Sequence, residues 1–319
     1  MPLTTLQSLT KTKGFRRLAA PLAAMMTLTA LTSSIPASAT DILLSERNIA
    51  NLNARNLTET QYTLPSPDQS ATQFAFVLKG YVFGLRMIRA NYTGWYDESD
   101  YVLYADIKTS GLGALLKKME IWAVSRGQHD QKGFQPDFHI QQNLDKKSRR
   151  VEMNYANPAG PVDVNIIPSL GSQGIPPASP AERFLADDTL SAILNLMMRG
   201  PAQKNDFCQG SIKVFDSKQH YALRLEPNGS KRLKFDGEKF ESLRCDIYYV
   251  PISGFDPEDL PEDEEEATPV KAYFQYRPEL DLYVPLRFTY KISGFTAVVK
   301  VDEIKLIESG SDVIQKLDD

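Results

Sequence analysis

The chain has 319 residues, 42% of them hydrophobic, with 36 Lys and Arg against 40 Asp and Glu for a formal net charge of −4. That acidic balance argues against a nucleic-acid partner, which requires clustered Lys and Arg to neutralise phosphates. After the first 39 residues no run reaches the roughly 18 uninterrupted apolar residues of a membrane-crossing helix, so the mature chain is expected to be soluble, with no transmembrane segment.

Residues 1–39 have the order of a secretory signal peptide. Lys11, Lys13, Arg16 and Arg17 precede an apolar stretch from Leu18 to about Leu31, and Ala37-Ser38-Ala39 follows the helix-breaking Pro36. Cleavage is expected after Ala39, placing the mature protein in the periplasm with Thr40 at its start. The apolar stretch is shorter than the about 20 residues of an uncleaved anchor. A lipoprotein signal needs a cysteine at the cleavage site, and the first cysteine is Cys208.

Residues 40–70 are polar, end near Pro65-Ser66-Pro67, and are read as a flexible N-terminal arm in which Asp41-Ile42-Leu43-Leu44 has the pattern of a short edge strand. Residues 71–309 are expected to form one curved β-sheet domain, and residues 310–319 a C-terminal tail. Within the domain about a dozen short runs rich in Val, Ile, Tyr and Phe alternate with polar partners. Tyr101, Leu103, Ala105 and Ile107 alternate with Val102, Tyr104, Asp106 and Lys108; Val151, Met153 and Tyr155, then Val162, Val164 and Ile166, repeat the pattern. Asn228-Gly229, between two such runs, predicts a hairpin turn. Residues 110–118 have room for one helical turn.

One segment has helical spacing. Asp188-Thr189-Leu190 opens a run in which Leu190, Ile193, Leu194 and Met197 recur, and Gly200-Pro201 stops it. An earlier start at Ser179 would place Pro180 at the first helical position and Glu182 in a capping box. The proline-rich stretch 168–180 before it reads as an extended loop.

Cys208 and Cys245 are the two cysteines. In an oxidising compartment they are expected to pair; two free buried thiols are the alternative, and two distant cysteines without neighbouring histidines do not make a zinc site. The acidic stretch from Asp256 to Glu266 holds eight carboxylates but lacks the spaced Asp, Asn and Gly of a calcium loop, and is read as a solvated hairpin tip. His129, His139 and His220 show no metal-ligand spacing, and no nucleophile motif or phosphate-cradling loop is present. His139 alternates with Phe138 and Ile140 and reads as a strand-face residue. No catalytic residue, metal or cofactor is expected.

From about Phe76 to Leu306 the order of motifs resembles an exported Gram-negative bacterial family catalogued as domain of unknown function 3108. The resemblance rests on Gly80 and Gly84, the run from Tyr104-Ala105-Asp106 to Gly111-Leu112, Ser125-Arg126-Gly127, Phe134-Gln135-Pro136-Asp137-Phe138, Arg149-Arg150-Val151, Asp188-Thr189-Leu190-Ser191-Ala192, Phe235-Asp236-Gly237 with Cys208 and Cys245, and Val284-Pro285-Leu286-Arg287-Phe288. It implies an all-β, mainly antiparallel fold: a strongly curved, open or half-closed barrel-like sheet with one inserted helix, similar to the open barrels of periplasmic lipoprotein carriers. It carries over no catalytic residue.

Aromatic residues supply the remaining handle. Tyr81 and Phe83 on the first strand, Trp122 on a middle strand, and Phe288 and Tyr290 on a late strand are the expected lining of an apolar groove, with the register of the first strand left open at Gly80 and Gly84, where a bulge would exchange its faces. The expected role is non-catalytic: binding a lipid-like or acylated ligand, or a lipoprotein, or supporting cell-envelope assembly. The alternatives are a scaffold that docks another envelope protein through the acidic loop or a strand edge, and a carboxylate-dependent hydrolase of an envelope polymer.

Overall fold

The computed structural model describes Pro67 and residues 70–130, 133–144, 148–155, 162–198, 207–235, 237–278, 280–292, 295–308 and 311–316. The signal peptide and nearly all of the N-terminal arm expected from the sequence lie outside these residues.

Among the described residues, fourteen strands form one antiparallel sheet. They are β1 (Thr72–Val82), β2 (Leu85–Tyr96), β3 (Asp100–Thr109), β4 (Glu120–Asp130), β5 (Gly133–Asn143), β6 (Arg150–Asn154), β7 (Asp163–Ile167), β8 (Gly210–Phe215), β9 (His220–Phe235), β10 (Glu238–Ser253), β11 (Val270–Arg277), β12 (Leu282–Ile292), β13 (Phe295–Glu308) and β14 (Ser311–Lys316). The spatial order is β7-β6-β5-β4-β3-β2-β1-β13-β12-β11-β10-β9-β8, with β14 added beside β13. Two meanders are thus joined through one long-range ladder, β1 on β13. The expected C-terminal tail therefore contributes a strand, because the end of β13 extends past β12 and leaves Glu303 to Glu308 free to pair with Ser311–Lys316.

Four short helices among the described residues interrupt the meanders: α1 (Leu112–Leu116) after β3, α2 (Pro180–Phe184) and α3 (Thr189–Met198) between β7 and β8, and α4 (Asp263–Ala267) before β11. The early helix start and the main helix are separate elements. Ser179 and Glu182 do form a capping box on α2, but the chain then leaves the helical path so that Asp187 can pair with β8, bonding Lys213 and Phe215 through its backbone.

The sheet curves around α3. One helix face, with Leu190, Leu194 and Met197, packs against β1–β5, β12 and β13; another, with Ala192 and Leu196, packs against β8–β12. Each fully buried Leu or Met contributes about 1.5–3 kcal/mol, so the helix fastens the two meanders to each other. Bulges at Val77/Leu78, Gly80/Tyr81, Arg126/Gly127 and Tyr273/Phe274 add the bend. Among the described residues no backbone ladder joins β7 to β8, so the barrel is open. Its gap is filled by side chains: Ala178, Ala186 and Phe215 pack with Val151, Met153, Tyr155 and Val162, and Val164 and Ile166 of β7 lie against them.

Asn228-Gly229 does not turn a hairpin. Both residues lie inside β9, where Leu243 faces Ser230 and Cys245 faces Pro227, so two residues oppose the single Arg244. This is a bulge with Gly229 in the left-handed region at φ 71°, and Asn228 donates its side-chain amide to Asp246 at 2.6 Å. The strand continues to the turn before Glu238 because Leu233 and Phe240, beyond the bulge, pack on the main core. The acidic stretch is a 3-10 turn (Pro257–Asp259) followed by α4, held to the body by Lys218, which donates to Asp256 at 2.6 Å.

A separate apolar cluster lies on the sheet face turned away from α3: Trp95, Val102, Tyr104, Trp122, Val124 and Ile140. Asp106 shares this face, is 3% exposed, and has no hydrogen-bond partner at Oδ2. Burial pushes its pKa up to about 8, with Lys108 lowering it and Glu120 raising it. A carboxyl whose folded pKa lies above its unfolded value of about 3.9 binds its proton more tightly when folded. Its contribution to stability is complete below about pH 4 and is lost as pH rises to about 8. Asp106→Asn is expected to flatten this part of the stability profile and to raise stability at pH 8 by on the order of 2 kcal/mol; denaturant unfolding across the range checks it.

Candidate functional site

Side chains do not fill the space between α3 and the concave face. A cavity of about 60 Å³ remains there, room for several waters at roughly 10–15 Å³ each. It exists because small residues face one another: Gly80, Ala90 and Ala297 on the strands look toward Ala192 on the helix. Phe76, Leu78 and Ile88 form one wall, Phe288, Tyr290 and Val299 a second, and Ile193, Leu196 and Met197 of α3 the third. Thr189 also lines it, and its hydroxyl is buried with no hydrogen-bond partner. Burial pushes the Tyr290 phenol up to about 12, with Glu265 adding to the shift, so the walls carry no charge at neutral pH.

The five residues expected to line a groove separate into two groups. Phe288 and Tyr290 line the cavity. Tyr81, Phe83 and Trp122 do not, and the expectation is corrected for each. In β1 the inward residues are Phe76, Leu78 and Gly80. Tyr81, the next residue in the alternation, faces out, where Lys300 lies 5.3 Å from its ring; the bulge here belongs to β2, where Met87 is the extra residue. Phe83 sits in the β1–β2 turn and is 76% exposed. Trp122 belongs to the opposite face of β4, since its neighbours Ile121 and Ala123 point to the core around α3.

A buried polar network at the start of α3 escaped sequence reasoning. Asp188 is fully buried and caps the helix: its Oδ1 accepts from the backbone N–H of Leu190 at 2.8 Å and of Ser191 at 3.2 Å. Its Oδ2 accepts from the hydroxyls of Ser125 on β4 at 2.5 Å and of Ser191. His139 Nδ1 on β5 lies 3.0 Å from Oδ1, and Tyr101 on β3 shares a 2.6 Å hydrogen bond with Ser191. Burial alone would raise the Asp188 pKa, but His139 and the two serine hydroxyls outweigh it and hold the carboxyl below the usual range. Ser, His and Asp meet here without forming a nucleophile and base, because both serines bond the carboxylate and neither hydroxyl bonds the imidazole. The arrangement fixes the helix that forms the cavity's third wall.

The other histidines stand apart. His129 stacks on Phe134 at 4.6 Å, and His220 approaches Ser253 at 3.5 Å. Among the described residues no three His, Cys, Asp or Glu side chains are placed to hold a metal ion. Cys208 and Cys245 form a disulfide with Cα atoms 5.6 Å apart, tying the segment after α3 to β10. Among the described residues no helix is long and apolar enough to cross a membrane, and the disulfide is compatible with an exported chain.

No protein-family model and no curated protein sequence matches the chain. Among solved structures it is similar to a beta-barrel-like protein of domain of unknown function DUF1849 from Brucella abortus, at 11% identity and a TM-score of 0.42, covering 74% of this chain and 98% of that one. At that score the similarity carries no argument about this chain.

Proposed function

We propose that this is a non-catalytic protein of the bacterial periplasm that holds one apolar chain of a lipid-like or acylated ligand between α3 and the concave face of its sheet. The supporting observation is the cavity itself: an uncharged space whose walls come from both meanders and the helix. Burying an acyl chain gains about 0.8 kcal/mol per methylene, less the entropy lost in ordering it. The unpaired Thr189 hydroxyl offers a donor to a ligand oxygen. The network at Asp188 supplies a rigid wall and no reactive group.

Titration of delipidated protein with a fluorescent fatty acid tests the proposal. Saturable binding is expected, displaced by unlabelled fatty acid. Ala297→Ile, which places three further carbon atoms in the cavity, is expected to weaken it at least tenfold without loss of stability. Phe288→Asp, which puts an unpaired charge on the wall, is expected to abolish it. Absence of saturable binding by the wild type would leave the envelope scaffold as the better reading.

A further inference from the structure

Three pieces of the chain meet at one end of the open barrel. The β1–β2 hairpin turns at Phe83-Gly84. The β12–β13 hairpin reaches it through Phe295, whose ring lies 5.6 Å from that of Phe83. The chain entering α1 is bonded to β2, with Ser110 N–H donating to Met87 O at 2.9 Å. The cavity extends toward this end: Gly80, Ile88 and Ala297 line it within about three residues of the tips, roughly 10 Å of strand.

The end is apolar, and the apolar groups point outward. Leu115 is 83% exposed, Phe83 76%, Leu116 65% and Leu85 51%. Single exposed apolar residues are ordinary on protein surfaces; a contiguous group is not. Two backbone features hold these side chains out. Phe83 and Gly84 both have positive φ, 53° and 75°, a two-residue turn that favours Asn-Gly and disfavours a bulky first residue. Phe83 therefore occupies an unfavourable conformation with little burial to offset it, a pattern associated with functional sites. In α1, Gly113 lies against β2 so closely that a Cβ there would be 2.1 Å from Met87 O. With that side pressed on the strand, Leu115 and Leu116 are left facing out.

Charge adds a third, independent feature. Residues 79–89, 107–119 and 287–300, whose strand ends and connections make up this end, each contain three Lys or Arg and no Asp or Glu, in a chain that is acidic overall. Lys79 and Lys108 are paired with Asp302 and Glu120. Arg86, Lys117 and Lys118 stand beside the exposed leucines.

We propose that this end docks on the surface of an anionic phospholipid bilayer, with Phe83, Leu115 and Leu116 entering the interface and Arg86, Lys117 and Lys118 meeting the phosphates. Exposed apolar side chains ringed by cations are the chemistry of an interfacial anchor. Docking brings the near end of the cavity to the headgroup layer. It does not depend on the cavity's being able to bind a lipid, so the two proposals can fail separately.

Co-sedimentation of the purified exported protein with vesicles tests it, comparing phosphatidylethanolamine containing phosphatidylglycerol with phosphatidylcholine alone. Binding to the anionic vesicles is expected, weakening as salt is raised. Phe83→Ser with Leu115→Ser is expected to lower the bound fraction at least tenfold. Arg86→Gln with Lys117→Gln and Lys118→Gln is expected to remove the preference for anionic vesicles. Leu260→Ser, at an exposed apolar residue in the acidic stretch, is expected to bind as the wild type does. Phe83→Trp gives a second readout on the intact surface: the emission of the introduced indole is expected to shift to shorter wavelength with anionic vesicles. Wild-type protein that does not bind these vesicles at low salt, rim variants that bind equally well, or an unshifted emission from the Phe83→Trp variant overturns the proposal, as does a protein partner captured by this end in the absence of vesicle binding.

Discussion

Asp188→Ala is expected to destabilise the protein by about 4 kcal/mol, the scale of loss expected when a fully buried hydrogen-bonded network is broken. The substitution takes the cap from α3, worth about 1 kcal/mol. It also leaves the hydroxyls of Ser125 and Ser191 without their shared acceptor at a site closed to water, and removes the carboxylate that lies 3.0 Å from His139 Nδ1. Leaving a buried polar group unsatisfied costs about 1–3 kcal/mol, and the network relaxes enough that these penalties do not simply add. Denaturant unfolding measures the loss as a lower midpoint. The pH dependence identifies its origin. The Asp188 carboxyl is held below its ordinary range when folded, so its contribution is complete above the unfolded pKa of about 3.9 and is lost as pH falls through the lower folded value. Asp188→Asn keeps a capping oxygen but cannot ionise, and is expected to lack that acid-side slope. The Asp106 effect has the opposite sign and a higher window, between about pH 4 and 8; the two variants therefore separate in one pH series.

Replacing both cysteines by alanine is expected to lower stability by a similar amount. The bond closes a loop with a sequence separation of 37, for which the chain-entropy relation gives about 4 kcal/mol. Alanine avoids burying new hydroxyls beside Leu196 and Phe207, which pack with the bridge. The loss is expected to fall first on the junction between α3 and β10, since Cys208 follows the helix and Cys245 lies in the strand. Hydrogen exchange comparing oxidised and double-alanine protein is expected to show the earliest loss of protection in α3 and in the β9–β10 ladder. If protection is lost evenly along the sheet, the bond acts only through the unfolded chain and not as a local clamp.

Both sites act on the same helix or the segment that follows it. Asp188 fixes its start to β4 and β5, and the disulfide fixes the segment after its end to β10. A helix of ten residues is marginal in isolation, and here it forms a wall of the cavity. Loosening either end is therefore expected to alter ligand binding as well as stability.

Several features were legible in the sequence because they depend on local pattern. Alternation in the run from Tyr101 to Lys108 specified a strand, which the assembled sheet buries on both faces. The spacing of Leu190, Leu194 and Met197 specified α3, and the Ser179 to Glu182 pattern specified the capping box of α2. Two cysteines in a chain expected to be exported pointed to the bond that is present.

The tertiary structure decided what depends on register and on distant partners. A shift of one residue reverses which face a strand presents, and the alternation that puts Phe76, Leu78 and Gly80 on the concave side puts Tyr81 on the other. Asn228-Gly229 carries the local signal of a turn, yet hydrophobic partners beyond it, Leu233 and Phe240, kept the strand running and left the pair as a bulge. The network at Asp188 draws Tyr101, Ser125 and His139 from three strands 49 or more positions away in the chain, and no local pattern encodes such a meeting. The cavity likewise follows from the convergence of Gly80, Ala192 and Ala297, small residues that acquire meaning only when folding sets them face to face. Periodicity reports which side of an element is apolar; only the assembled sheet determines what that side meets.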